Sequence, residues 1–337
     1  MTGVPTELVE RYLDFARSGD HRSATAVALD LLNDGVPVDA VLDGLLGAAQ
    51  REAGARWHRN EWTVADEHLV TTTTTAVAEA VAAMSPAPAA GGDLVVVCAE
   101  GDWHALPARL FTEGMRERGW AVTFLGASTP ADHVAEFLGR RPVDALAISC
   151  ALPLHYLGAA RLVEAAHSRG VPAIVGGAGI DGRGERALAL GADGAATSAA
   201  GADAVIRRVM AGPVRTEPVR LDPSALRLDA EAADHAEAAL ADLRDVFPPL
   251  ADYDRRQVTR TLEDLGFIVR FAAAAVLVSD ATVWTDFAAW QVSLLGARGV
   301  PEQAFLAGVD VLAGRVGTVS PEAAALLEAP LWQPGHG

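Results

Sequence analysis

The chain has 337 residues, enough for two or three domains, and half of its residues are hydrophobic, so it can form substantial cores. Its formal net charge is −17 and its basic residues are scattered arginines with no lysine, which argues against nucleic-acid binding because phosphate contacts need concentrated basic side chains. The sequence shows no signal segment and no apolar run long enough to cross a bilayer. We therefore expect a cytoplasmic protein that does not enter membranes.

The first 85 residues show only the periodicity of amphipathic helices. Thr63, followed three residues later by Asp66, predicts a capping box at the start of the last of four helices. Helices joined by such short loops predict a four-helix bundle over residues 1–85. The segment SPAPAAGG, residues 85–92, predicts a linker after it.

Residues 93–213 follow a different pattern, in which short continuous apolar runs alternate with helical stretches. Such runs predict buried parallel strands joined by crossover helices. Five units of this kind predict a flavodoxin-like, Rossmann-type α/β domain with its ligand site at the carboxyl ends of the strands. The predicted strands are LVVVC from Leu94, AVTFL from Ala121, ALAIS from Ala145, AIVGG from Ala173 and GAAT from Gly194. Cys98 and Cys150 lie in or directly after such runs, and we expect inert core thiols.

No strand pattern remains beyond residue 216. Helical periodicity runs from Ala230 to Val246, from Asp252 to Val278, around Val283 to Ala297, and from Glu302 to Val316. Residues 228–328 are therefore predicted to form a separate all-α domain.

The loop after the first predicted strand contains the strongest candidate metal ligand. His104 can offer a neutral imidazole nitrogen to a metal, and Asp102 can accept the other ring N–H and so fix the tautomer. Asp102, Trp103 and His104 resemble the D-x-H-x-x-G motif of cobalamin-binding domains, although Pro107 stands where the family has glycine. The resemblance implies that His104 is the lower axial ligand of cobalt.

Later elements of the same family also have counterparts here. Ser149 ends the third predicted strand, and Gly176 and Gly177 follow the fourth. The resemblance implies that these residues line the slot for the nucleotide tail of cobalamin, where Ser149 can donate a hydrogen bond and the glycines leave room.

A second group of residues lies in the predicted bundle. Trp57 is followed after nine residues by Glu67 and His68, which resembles the W-x9-E-H signature of light-sensing cobalamin proteins of the CarH type. The resemblance implies a bundle that caps the upper face of adenosylcobalamin, with Trp57 packed over the adenosyl group and Glu67 and His68 hydrogen-bonding around it. His58, directly after Trp57, is then a candidate upper cobalt ligand after light has removed the adenosyl group.

CarH-type repressors have a DNA-binding helix-turn-helix before the bundle, whereas this sequence begins almost at the bundle. Together with the acidic charge, this leads us to expect no direct binding to operator DNA.

The C-terminal domain resembles the globin-like helical domain of photocobilins, which combine cobalamin with a noncovalent bilin. A flat tetrapyrrole needs an apolar slot, aromatic walls and cations for its propionates. The candidate cations are Arg255, Arg256, Arg260 and Arg270, and the candidate walls are Trp284, Phe287 and Trp290, with Trp284 and Trp290 expected on one face of a helix. An ordinary core with surface arginines, or a dimer interface that contains these tryptophans, explains the same pattern.

Taken together, the residues and the resemblance predict a light sensor. Light would break the cobalt–carbon bond of adenosylcobalamin, and biliverdin would be a possible second chromophore. We expect a homo-oligomer that signals through a protein partner and is not itself an enzyme. The alternatives are a corrinoid carrier that serves partner methyltransferases and a cobalamin reservoir or chaperone without signalling.

Overall fold

The computed structural model describes residues 4–84, 91–215 and 217–330. The chain divides into two compact units, Met1–Pro218 and Val219–Gly337. Most of the predicted linker, residues 85–90, lies outside the described residues. Within the described residues, no helix has the length and apolar character that a membrane span requires.

The first unit begins with a helical bundle, as predicted. Its helices are α1 (Thr6–Ser18), α2 (His21–Asn33), α3 (Val38–Val41), α4 (Ala48–His58) and α5 (Val64–Ala83), and a π-helical segment, Leu42–Gly47, joins α3 to α4. The predicted capping box at the start of α5 is present, because the Thr63 side chain accepts from the backbone N–H of Asp66 and the Asp66 side chain accepts from that of Thr63. The hydrophobic pattern of the sequence does not predict the π-helical segment.

The threonine-rich stretch of α5 packs into the bundle core. Thr73 and Thr74 are buried, and the hydroxyl of Tyr12 on α1 donates to Oγ1 of Thr74 at 3.0 Å. Thr73 donates to the carbonyl of Ala16. These hydrogen bonds satisfy the hydroxyls, so a polar run can lie against apolar neighbours.

The second part of this unit is a five-stranded parallel sheet in the order β2-β1-β3-β4-β5, which is the flavodoxin-like order. The strands are β1 (Asp93–Cys98), β2 (Ala121–Phe124), β3 (Ala145–Ser149), β4 (Ala173–Gly176) and β5 (Gly194–Ala196), and each coincides with a predicted run. The helices of this part are α6 (Ala105–Glu117), α7 (Ala131–Leu138), α8 (Tyr156–His167), α9 (Glu185–Ala189) and α10 (Ala199–Met210). Because β1 and β3 are neighbours with Cys98 opposite Ser149, the loops that follow these two strands emerge side by side.

The second unit is all-helical, as predicted. Its helices are α11 (Pro223–Ala230), α12 (Ala232–Val246), α13 (Arg255–Val278), α14 (Thr282–Ala297), α15 (Glu302–Val316) and α16 (Pro321–Glu328). Asp254 and Gln257 form a capping box that fixes the start of α13. The final helix α16, which begins at Pro321 after the Ser320 cap, was not predicted.

Candidate functional site

The loop between β1 and α6 holds His104 against a buried carboxylate. Asp102 is fully buried, whereas the His104 side chain is 56% exposed. Nδ1 of His104 lies 2.8 Å from Oδ1 of Asp102, and the backbone N–H of His104 donates to the same oxygen at 3.0 Å. The other carboxylate oxygen accepts from the backbone N–H of Ala151, in the loop after β3, at 2.7 Å. The predicted pairing of Asp102 with His104 is therefore present.

The electrostatics of this pair identify the donor. Burial acts to raise the pKa of Asp102, but hydrogen bonds from His104 and from the Ala151 N–H outweigh it, so the pKa is lowered and the carboxylate stays ionised. The hydrogen bond to Asp102 also raises the pKa of His104. Because an ionised carboxylate only accepts hydrogen bonds, Nδ1 of His104 is the donor. In the neutral imidazole, Nε2 then keeps its lone pair for a ligand.

Beside this loop lies a cavity of about 500 Å³, enclosed by both parts of the first unit. Residues at the carboxyl ends of β3, β4 and β5 form one side, and the start of α6, including Pro107, forms another. Leu42, Asp43, Gly47, Gln50 and Arg51 line it from the bundle. The cavity thus lies where doubly wound sheets place their ligands.

Ser149, Gly176 and Gly177 all line this cavity. The two glycines also have a structural reason to be glycine. A Cβ on Gly176 would lie 2.3 Å from the carbonyl oxygen of Ala196, and one on Gly177 would lie 2.5 Å from that of Cys150. Gly177 also has φ +107°, which side chains rarely adopt. Backbone approach between neighbouring strands therefore requires these glycines, whatever the cavity holds.

The residues predicted for the cap lie at the junction of α4 and α5. Trp57 and His58 are the last two residues of α4 and are both partly buried. Glu67 lies in the first turn of α5, and its Oε2 is 2.9 Å from Nδ1 of His68, whose side chain is 73% exposed. The negative charge of Glu67 is close enough to His104 to contribute to its raised pKa. Glu67 therefore lies within electrostatic range of His104.

Glu67 is held by partners that the sequence analysis did not identify. Nε2 of Gln50 donates to Oε1 of Glu67 and to Oγ1 of Thr71, both at 2.7 Å, and the Thr71 hydroxyl donates to the same carboxylate oxygen at 2.7 Å. Oε1 of Gln50 is buried and has no hydrogen-bond partner among the described residues. Gln50 also lines the cavity, so it connects Glu67 to the cavity wall. No local motif in α4 marks Gln50 as special.

Two further residues near the site, Asp43 and His155, were not predicted from the sequence. Asp43, on the π-helical segment, lines the cavity, and its pKa is raised by burial and by the nearby charge of Asp39. His155 ends a short 3-10 turn after β3, is partly buried and lies beside Asp102 and His104. His155 follows β3, the neighbour of β1 in a flavodoxin-like sheet, so the predicted strand order could have placed His155 beside the His104 loop.

Trp103 lies on the His104 loop and is 77% exposed, so it presents a large apolar surface beside the imidazole. Cys98 and Cys150 are buried free thiols, as predicted. Burial raises the pKa of the Cys98 thiol to about 12, so it is unreactive at neutral pH.

In the second unit, the predicted aromatic residues pack on one another and on neighbouring phenylalanines. Trp284 is fully buried and stacks on Phe305 with centroids 6.4 Å apart, while Phe287 stacks on Phe271 at 3.9 Å. Trp290 is 43% exposed. The expectation that Trp284 and Trp290 share one helix face is wrong. Six residues turn a helix by roughly 600°, which is one full turn and two-thirds of the next, so the two side chains point in different directions. Nε1 of Trp284 is nevertheless buried with no hydrogen-bond partner among the described residues.

The four predicted arginines do not form a single cluster of ion pairs in the described structure. Arg255 and Arg256 are exposed at the start of α13, where Arg260 pairs with Glu263 at 2.8 Å. Arg270, more than two turns along the helix, pairs with Asp229 at 3.1 Å.

Comparison with known protein families finds two matching domains. Residues 92–205 match the model of a B12 binding domain, and residues 8–81 match a second model that is also described as a B12 binding domain. The two matches cover the sheet and the bundle of the first unit.

Among curated proteins, the chain is similar to the HTH-type transcriptional repressor CarA of Myxococcus xanthus, with 37% identity over 95 residues. The match covers 28% of this chain and 31% of the repressor, so the chain spans about a third of the length of the curated relative it matches.

Among solved structures, the chain is similar to the monomethylamine corrinoid protein of Methanosarcina barkeri, with a TM-score of 0.53 and 20% identity over 61% of this chain and 100% of that one. A second similar structure is the methanol:cobalamin methyltransferase complex MtaBC of the same organism, with a TM-score of 0.33 and 18% identity over 64% of this chain and 83% of that one. Only the first comparison has a TM-score above 0.5, and at 20% identity it shows a similar fold and nothing further.

Proposed function

We propose that this chain is a light sensor that binds adenosylcobalamin with His104 below the cobalt, in keeping with the matches of residues 8–81 and 92–205 to models of B12 binding domains. The observation that carries the proposal is the fixed imidazole of His104, whose Nδ1 donates to the buried Asp102. A metal-binding histidine oriented by a carboxylate on its other nitrogen has this arrangement.

The residues present fit the cofactor. His104 supplies an exposed imidazole, and the adjacent cavity of about 500 Å³ offers a slot lined by Ser149 and the two glycines. The unpartnered Oε1 of Gln50 is an acceptor for the amide N–H groups around a corrin ring. Trp103 adds an apolar surface beside the imidazole.

The cap favours an adenosyl group over a methyl group. Glu67 is fixed by Gln50, Thr71 and His68, so its carboxylate is preorganised to accept hydrogen bonds from hydroxyls. The ribose of an adenosyl group provides such hydroxyls, whereas a methyl group provides none. Trp57, at the end of α4, is proposed to pack over the adenosyl group, with His68 hydrogen-bonding beside it.

Adenosylcobalamin supplies a cobalt–carbon bond that light cleaves, and the protein supplies the ligand, the cap and the exit route. After cleavage, His58 is proposed to bind the upper face of cobalt. The resulting movement of the bundle would alter contacts with another subunit or with an output partner. We assign no enzymatic activity to this chain.

The experiment that tests the proposal is absorption spectroscopy of protein loaded with adenosylcobalamin in the dark and then illuminated. If the protein is a sensor, the bound cobalamin should show a new and stable absorption spectrum after illumination. The adenosyl product should be released from the protein. An absorption spectrum that stays constant under light would contradict the sensor function. Dissociation of unphotolysed adenosylcobalamin from the protein would contradict it as well.

A corrinoid methyl carrier is the second candidate, and it is supported by the fold likeness to the monomethylamine corrinoid protein along that protein's whole length. A carrier should bind methylcobalamin at least as tightly as adenosylcobalamin. It should also pass the methyl group to an added methyltransferase. Comparison of the two affinities therefore separates the candidates.

For the second unit we propose a globin-like module that takes biliverdin noncovalently. The support is the buried, unpartnered Nε1 of Trp284 together with the exposed Arg255 and Arg256, which could pair with propionates. Co-expression with a biliverdin source should give a red-absorbing protein whose band survives gel filtration and is lost on denaturation. Cobalamin bands alone, with biliverdin in excess, would contradict this part.

A further inference from the structure

Three side chains from two neighbouring loops form a compact ligand set in the first unit. Asp102 and His104 lie in the loop after β1, and His155 lies after β3. One ligand atom from each side chain lies within 4.8 Å of those from the other two. Among the known metal-binding arrangements, two imidazoles and one carboxylate suit zinc and other divalent transition metals.

The fold holds these loops together independently of any ligand. β1 and β3 are hydrogen-bonded neighbours, and the Ala151 N–H donates to the buried carboxylate of Asp102 across the gap between the loops. Gly101 has φ +86°, and a Cβ there would lie 3.3 Å from Nδ1 of His155. His155 is therefore packed directly against the turn that presents His104.

A small movement of the side chains would bring the three ligand atoms to the distances that a bound metal ion requires. In a tetrahedral zinc site with bonds of about 2.0–2.1 Å, ligand atoms lie roughly 3.3 Å apart. His104 is more than half exposed, which provides a path of entry for the ion. Asp102 is already fixed by backbone hydrogen bonds, so the two imidazoles would move toward it.

We propose that Asp102, His104 and His155 bind a divalent transition metal of the zinc class in the cobalamin-free protein. A neutral imidazole offers a single nitrogen lone pair. His104 therefore cannot ligate this ion and cobalt at the same time, and zinc excludes the state in which histidine binds cobalamin. The metal site depends only on the three side chains, whereas the exclusion rests on the proposed role of His104.

Titration of the tag-free apoprotein with zinc chloride, followed by calorimetry, tests the site. We expect one zinc ion per chain and an affinity that falls at least about tenfold in both H104A and H155A, since loss of even an outer partner costs a metal site that much. H133A is the matched control, because His133 is an exposed histidine on α7, and it should bind zinc like the wild type. Absence of zinc binding, or wild-type affinity in H155A, would overturn the proposal.

Spectroscopy of the cobalamin-loaded protein tests the exclusion. Zinc should convert the wild type from the histidine-bound spectrum to one without an axial histidine, and the same zinc concentration should leave the H155A spectrum unchanged. A wild-type spectrum that does not respond to saturating zinc overturns the exclusion. If no histidine-bound spectrum exists even before zinc is added, the proposed role of His104 fails instead, while calorimetry on the apoprotein still decides the zinc site.

Discussion

Oδ1 of Asp102 accepts two hydrogen bonds from the same residue, one from Nδ1 of His104 at 2.8 Å and one from its backbone N–H at 3.0 Å. This double contact fixes both the imidazole ring and the start of α6. The ring orientation is therefore set by a group that has no exposed surface, so solvent cannot compete for it.

Removal of the imidazole or of its partner should weaken cobalamin binding. H104A should lose the histidine-bound spectrum, and D102N should lower cobalamin affinity by about 10–100-fold, because one of the two acceptor oxygens becomes a donor that faces another N–H. Spectrophotometric titration measures both effects, with H133A as the control. Wild-type affinity and spectrum in H104A would remove His104 from the ligand role.

The product formed by light should depend on His58. The wild type and H58A should share one dark spectrum, and only the wild type should reach a product with histidine on both faces of cobalt. Absorption spectra before and after illumination make the comparison, and H21A, another bundle histidine, provides the control. Identical light-state spectra would mean that His58 is only a structural residue of α4.

Replacement of Gln50 should reduce selectivity for the adenosyl form. Q50L removes the donor to Glu67 and to Thr71, so affinity for adenosylcobalamin should fall by about fivefold, the equivalent of one hydrogen bond of about 1 kcal/mol. Affinity for methylcobalamin should change less. Q303L, at an exposed glutamine in the second unit, is the control. Equal losses for both cofactors would mean that Gln50 acts only through the corrin and that its contact with Glu67 does not select the adenosyl group.

The second unit should become more stable as the pH falls below neutrality. Burial raises the pKa of Asp264 from 3.8 to about 6, against the hydrogen bond from Gln291 that lowers it. The folded state therefore binds a proton more tightly than the unfolded state. The stabilisation is complete below pH 4 and is lost as the pH rises through about 6, with a total of up to about 3 kcal/mol.

Hydrogen exchange of the α13 amides in the full chain measures this dependence between pH 4 and pH 7. In D264N, the part of the pH dependence of stability that this carboxyl causes should disappear. D286N, at an exposed position on α14, should behave like the wild type. A wild-type pH profile in D264N would show that other groups cause the effect.

The sequence by itself determined most of the secondary structure and the position of the cobalt-ligand candidate. The five apolar runs became the five strands because parallel strands are buried on both faces and need continuous apolar residues. The Thr63 capping box and the pairing of Asp102 with His104 were predictable because they depend on residues two or three positions apart.

Only the tertiary structure revealed contacts between residues distant in sequence. Gln50 meets Glu67 because α4 packs on α5, and His155 meets Asp102 because β1 and β3 are neighbours in the sheet. The sequence pattern also predicted Trp284 and Trp290 on one helix face. In the folded structure Trp284 is buried in the core and Trp290 is partly exposed. Local patterns report the neighbours along a chain, but burial and long-range hydrogen bonds depend on which elements pack together, and that is decided by the fold as a whole.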